Sequence, residues 1–192
     1  MIIQRVFVDA NVLYSRTLRD WLFMLRNEIE GMFQLHTSRD VIVEVLYQLR
    51  RNHQDMDGGV IVNLHDKITA AVDEILDDFD ASISYTGEDP NDRHVHAAAV
   101  ACAAQILLTE DAGLTSDDET TYEVWNCDDF FVLIDDSAGW FVERVVRDQH
   151  RYWSARPGRP KSIVKALEDA RCPQFAKRVA KHLRTLSGPP PR

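Results

Sequence analysis

The chain opens on a nearly unbroken apolar stretch, Ile2-Ile3-Gln4-Arg5-Val6-Phe7-Val8, rich in β-branched residues and ending at Asp9. A continuous run of this kind predicts a strand buried on both faces. The period then changes. Leu18, Trp21, Leu22 and Leu25 share one face of a helix that Ser15 or Thr17 can cap. Val41, Ile42, Val45, Leu46 and Leu49 share one face of a second, capped by Ser38. After Gly58-Gly59 an amphipathic pattern from about Val60 to Phe79 predicts a third helix, and Ala81–Tyr85 a strand.

Gly87-Glu88-Asp89-Pro90-Asn91 is turn chemistry that places Asp92 at the opening of a further helix. That helix, reaching about Ala104, is apolar nearly all round, so it must be buried. Gln105–Leu108 predicts a second buried strand ending in Thr109-Glu110-Asp111, Phe130–Ile134 another strand, and Ala138 to His150 a helix. Alternating strands and helices predict an α/β fold with a mainly parallel central sheet covered on both faces.

Past residue 150 the pattern differs. Arg156-Pro157-Gly158-Arg159-Pro160 cannot be helical and reads as a linker. Ser162 can cap a basic helix bearing Ile163, Leu167 and Ala170 on one side; after Pro173, a second carries Phe175, Val179, Leu183 and Leu186. The predicted organisation is a body over residues 1–150 and a basic helical extension over 151–192, too small for a core of its own and expected to pack on the body.

The composition, 45% apolar and 28% charged over 192 residues, fits one folded domain with an appendage. The longest near-apolar run, Ala97 to Leu108, is shorter than the roughly 18 residues a bilayer requires. Asp9 arrives too soon for a signal peptide, and three scattered cysteines form no CxxC pair. The expectation is a cytoplasmic protein in a reducing compartment. The net charge of −9 hides a division of labour: residues 1–143 carry 9 Lys and Arg against 28 Asp and Glu, whereas 144–192 carry 13 against 3. A basic tail on an acidic body either meets a polyanion or docks on the body and neutralises it.

Ligands of parallel α/β sheets bind outside the carboxyl ends of strands. Asp9 and Asp111 follow two predicted strands, Asp92 opens the buried helix between them, and Glu44 flanks the Ser38 helix. Carboxylates about 4 Å apart repel by ~4 kcal/mol at an effective dielectric of about 20. Convergence of these acids therefore requires protonation or a divalent cation. An all-oxygen set without cysteine suits Mg2+ or Mn2+ better than Zn2+.

Val6-Phe7-Val8-Asp9-Ala10-Asn11-Val12-Leu13-Tyr14, Asp89-Pro90-Asn91-Asp92-Arg93-His94-Val95-His96 and Leu107-Leu108-Thr109-Glu110-Asp111 resemble the three signature segments of the PIN domain. More narrowly, they are similar to bacterial VapC-type toxin ribonucleases, over roughly residues 2–150. The resemblance implies a Rossmann-like three-layer fold and a Mg2+- or Mn2+-dependent endoribonuclease, often dimeric and inhibited by a cognate antitoxin. It also implies that Asp9, Glu44, Asp92 and Asp111 are catalytic, with Asp9, Asp92 and Asp111 as metal ligands. Asn11 and Thr109 can bond those carboxylates from behind. The chain departs from the family pattern after Asp111, where a long acidic loop precedes Asp128-Asp129-Phe130, so Asp117 or Asp128 could take the fourth acid's place.

An acidic body needs cations to hold RNA. Arg16, Arg19, Arg93 and His94 lie near the motifs, and Arg151, Arg156, Arg159 and Lys161 interleave with Tyr152 and Trp153. Spacing two apart on a helix turns His94 and His96 in different directions, against a shared metal role. Three functions compete: a ribonuclease toxin, a non-cleaving module that binds RNA or a partner, and a haloacid-dehalogenase-like phosphatase. The last normally needs Asp-x-Asp where this chain has Asp9-Ala10-Asn11.

Overall fold

β1, Gln4–Val8, occupies the centre of a five-stranded sheet, with Val6, Phe7 and Val8 fully buried. The computed structural model describes residues 4–87, 89–114, 120–155 and 162–187. In chain order β1 is followed by α1 (Ala10–Tyr14), α2 (Arg16–Glu28), β2 (Phe33–Ser38), α3 (Arg39–Asn52), α4 (Gly58–Ala71) and β3 (Glu74–Leu76). A single 3-10 turn at Pro90–Asp92 leads into α5 (Arg93–Ala101), then β4 (Ile106–Leu108), β5 (Glu123–Trp125), α6 (Cys127–Ser154), α7 (Ile163–Asp169) and α8 (Pro173–Ser187).

The strand order is β3-β2-β1-β4-β5 and every pairing is parallel. From β1 the chain first winds outward through β2 and β3, then returns to place β4 and β5 on the other side. The reversal lies between β1 and β4, where Val8 stands opposite Leu108. Strand ends splay apart at such a switch point and open a crevice above the sheet. Asp9 and Thr109 are the next residues along those two strands.

The strand reading at both of these positions agrees with the fold, as do the helices that Ser15 and Ser38 cap. Other elements differ. β2 reads as polar in the sequence because it carries His36, Thr37 and Ser38, all of them buried. The third helix stops at Ala71, since Asp73 ties itself to β2: its N–H donates to Leu35 O (2.7 Å) and its carboxylate accepts from Leu35 N–H (2.8 Å). That clamp starts β3 at Glu74, and Ala81–Tyr85 is irregular instead of a strand.

Phe130–Ile134 is helical, not a strand. A short apolar run is equally compatible with a buried helix, and the deciding feature lies upstream, where Asn126 caps α6 by accepting from Asp129 N–H at 2.8 Å. The outer strand on this side is β5 instead. α6 runs to Ser154, bending at Ala138, whose backbone is non-helical.

The extension packs on the body. Ile163, Leu167, Phe175 and Val179 are buried in the same hydrophobic cluster as β1 and β4. Phe175 meets Trp21 edge-on at 5.1 Å and Phe131 at 5.2 Å. Its polar side chains also meet the body: Arg178 contacts Asp135 and Asp136, and His182 Nε2 lies 2.7 Å from Asp135. Among the described residues no helix is long and apolar enough to cross a membrane.

Candidate functional site

Asp9 follows β1 and caps α1, and its carboxylate is fixed from several sides. Oδ1 accepts from Ala10 N–H at 2.6 Å. Oδ2 accepts from the Thr109 hydroxyl at 2.7 Å and the Asn11 amide at 2.8 Å. Asn11 Nδ2 also donates to Thr109 Oγ1 at 2.9 Å, while its Oδ1 accepts from Glu110 N–H at 3.0 Å. Thr109 Oγ1 further accepts from Asp111 N–H at 3.0 Å. The knot ties the turn after β1 to the turn after β4.

Four separate segments bring their acids to this crevice. Asp9, Glu44 of α3, Asp92 before α5 and Asp111 after β4 line one cavity of about 430 Å3, together with Asn11, Gln48, Asn91 and His94. Asp9 is buried, Glu44 and Asp92 are half-buried and Asp111 is exposed. Gln48, one turn beyond Glu44, donates to its Oε1 at 2.8 Å, and His94 Nε2 lies 3.6 Å from its Oε2.

Over residues 5–113 the sequence matches a family model described as a PIN domain. The chain belongs to the PIN domain family. Among curated proteins, none matches it. PIN domains are typically metal-dependent nucleases, and the all-parallel sheet with flanking helices is the fold of that family.

The electrostatics of this PIN pocket are those of crowded acids. Burial, followed by the neighbouring carboxylates of Asp111, Asp89 and Asp9, pushes Asp92 up to about 6. Burial also raises Asp9, against the hydrogen bonds from Thr109 and Ala10 that favour its ionised form. His94 is raised, chiefly by its contact with Glu44. Its Nδ1 donates to Asn91 O at 2.7 Å, so a second proton on Nε2 is what lets the ring face a carboxylate as a donor. The phenol of Tyr85 is raised by burial and then by Asp92, Asp89 and Asp111, which places its ring near the same negative field.

The donors fit a hard divalent cation. All are oxygens, and excess negative charge is what a cation would relieve. Among the described residues no three acidic, histidine or cysteine groups stand together closely enough to hold a metal ion. Acids spread along the walls suit an ion such as Mg2+, which keeps several waters and takes only one or two protein carboxylates.

Other sequence expectations meet the structure differently. Asp128 faces away from the cavity: its carboxylate accepts from Gln174 and Phe175 N–H groups in α8. Arg19 is buried, with Nη1 donating to Leu13 O at 2.6 Å, so it braces α1 and is not available to RNA. Arg16, Arg93 and Arg151 are exposed; Arg16 lies 3.6 Å from Asp20 and Arg151 3.5 Å from Asp148. Asp117, Arg156, Arg159 and Lys161 lie outside the described residues. His96 turns away from the pocket onto Tyr122, its Nδ1 2.7 Å from the phenol oxygen. Asn11 presents an amide donor to Asp9, so the second acid required by a phosphatase is missing. Nothing in the sequence marks Asn91 or Tyr85 as neighbours of the acids in space; for Gln48 the signal is its four-residue spacing from Glu44.

Proposed function

We propose that this PIN domain is a divalent-metal-dependent endoribonuclease, the toxin of a toxin–antitoxin pair, which hydrolyses RNA phosphodiester bonds. The observation that carries this reading is the meeting of Asp9, Glu44, Asp92 and Asp111, from four separate segments, around one cavity at the switch point of the sheet.

Asp9, Asp92 and Asp111 would hold Mg2+ or Mn2+, one or two of them directly and the rest through waters of the ion. When bound, such an ion supplies polarisation of a phosphoryl oxygen and an acidified water. The chain's own residues do the rest. Asn11 and Thr109 hold Asp9 in one orientation through the bonds to Oδ2. Glu44, steadied by Gln48 on one oxygen, keeps the other beside His94, where it can accept the proton of an attacking water. Arg93 and Arg16, with the basic segment around Arg151, Arg156, Arg159 and Lys161, would neutralise RNA phosphates. By the family resemblance, products carry 5′-phosphate and 3′-hydroxyl ends, a cognate antitoxin blocks the site, and a homodimer is one working form; the three scattered cysteines favour the cytoplasm. In this reading residues 1–150 are the nuclease domain and 151–192 its basic extension.

The test is incubation of the purified protein with single-stranded and structured RNA in Mg2+, Mn2+ or EDTA, alongside Asp9→Asn. Cleavage that needs metal and disappears in the variant supports the nuclease. RNA binding without cleavage under any condition replaces it with the non-cleaving module. Turnover of a phosphomonoester, absent RNA cleavage, restores the phosphatase.

A further inference from the structure

The extension and the acidic pocket meet through one turn of helix. Glu110, between Thr109 and Asp111, is half-buried and points its carboxylate at the start of α6, where Oε1 accepts from Cys127 N–H at 2.8 Å. Its own N–H donates to Asn11 Oδ1 at 3.0 Å. An anion in that place satisfies one of the orphan donors of the helix N-terminus and complements its dipole.

The next residue of the same turn serves the extension. α8 begins at Pro173, preceded by Cys172, whose side chain is a poor cap. Pro173 has no N–H, and the N–H groups of the second and third residues of α8 are taken by Asp128, which accepts from Gln174 N–H at 3.0 Å and Phe175 N–H at 2.8 Å. Asp128 is itself only 6% exposed. Asp129 adds a contact to the Gln174 amide at 3.0 Å. Hydrogen bonds from α8 to Asp128, the peptide bond between Asp128 and Cys127, and the hydrogen bond from Cys127 to Glu110 therefore form one link, which continues into the Asn11–Thr109–Asp9 knot.

We infer that Glu110 and Asp128 are positioning residues, through which docking of the C-terminal extension sets the place of Asp111 and the Thr109–Gly113 turn in the pocket. The extension then acts on the site by holding the first turn of α6, without touching substrate. The role of Asp111 as a metal ligand rests on the nuclease reading; the mechanical link from α8 to the turn does not. Burial, then the Glu110 carboxylate, drives the Cys127 thiol well above its ordinary range, so it stays neutral beside the acid.

The test uses the full chain with Glu110→Ala, Glu110→Gln and Asp128→Asn. Asp128→Asn keeps shape but replaces one of two accepting oxygens with a donor. Two readings are taken: hydrogen exchange of the amides over residues 109–113, and Mn2+ affinity. The amides of Glu110, Asp111 and Gly113 are hydrogen-bonded, so their opening is measurable. The expected result is at least tenfold faster exchange in that turn for Glu110→Ala and Asp128→Asn. Mn2+ binding should weaken about tenfold, the range seen when outer partners of metal ligands are removed. Glu110→Gln, which retains a carbonyl acceptor, should recover most of both. Faster exchange confined to the first turn of α8, with residues 109–113 and Mn2+ affinity unchanged, overturns the inference. If the wild-type chain binds no Mn2+, the nuclease reading fails, while the exchange measurement still decides the coupling.

Discussion

Asn11 and Thr109, 98 residues apart in the chain, are joined by a 2.9 Å hydrogen bond, and both donate to the same oxygen of Asp9. A buried carboxylate needs such donors to stay ionised. Replacing Thr109 with Val keeps the volume and deletes one of them. Thr109 is 2% exposed, so solvent cannot substitute. The expected cost is ~1–3 kcal/mol in urea unfolding and a Mn2+ affinity lower by about 10–100-fold. Wild-type values on both counts would remove Thr109 from the site.

Asp92 dictates a pH dependence. Its native value of about 6 lies above the ordinary aspartate range, so between about pH 4 and 6 the folded chain binds a proton that the unfolded chain has lost. Stability contributed by this residue therefore falls as pH rises through that window. Asp92→Asn removes the repulsion. Screening at this half-exposed position limits the gain to ~1 kcal/mol, which is a rise of about 2–4 °C in the metal-free melting temperature at pH 7. At pH 4 the two proteins should melt together. A variant that melts lower than wild type at pH 7 would contradict the assignment.

Phe175 probes how the extension belongs to the fold. Its ring is fully buried between Trp21 and Phe131, one residue of the extension and two of the body. Phe175→Ala should cost ~3–5 kcal/mol and lower the melting temperature of the whole chain in a single calorimetric transition. Two separate transitions, with only one shifted, would show that the extension melts independently.

A backbone correction should stabilise the protein. Ala103 has φ of 50°, the left-handed position that ends α5, where Ala104 N–H turns back to Ala99 O at 3.0 Å. Glycine carries no Cβ penalty there. Ala103→Gly is expected to gain ~0.5–1 kcal/mol after the added freedom of the unfolded chain is counted, seen as a higher urea midpoint. A loss would mean the side chain contributes packing that outweighs the backbone term.

The acids of the pocket were legible because they stand where the hydrophobic pattern stops: Asp9 after Val6-Phe7-Val8, and Asp111 after Leu107-Leu108. Position in an α/β sheet is a property that periodicity carries. Partnership is not. Asp128 has the same local credentials as Asp111, yet it serves α8, because only the docking of residues 173–175 decides what its carboxylate meets. Arg19 likewise reads as a surface cation until α1 folds beneath it and offers Leu13 O. β2 escaped notice for a related reason. Its buried polar side chains find partners only once the chain is folded: the Thr37 hydroxyl donates to Val8 O at 3.0 Å, and Ser38 Oγ accepts from Val41 N–H at 3.2 Å. Phe130–Ile134 is helical although its apolar run fits a strand, because the signal that decides it is a cap placed before the run and not a period within it.

The strand order β3-β2-β1-β4-β5 also sets a schedule for biosynthesis. One flank of β1 can pair with β2 once residue 38 has left the ribosome, but the other stays open until Ile106–Leu108 emerge. Until then Asp9 has neither Thr109 to steady it nor Asp111 to share its cavity. A nascent chain, or any fragment ending before β4, therefore lacks a pocket altogether. If the finished protein cuts RNA, the order of its strands withholds that activity until the segment carrying Thr109 and Asp111 has been made.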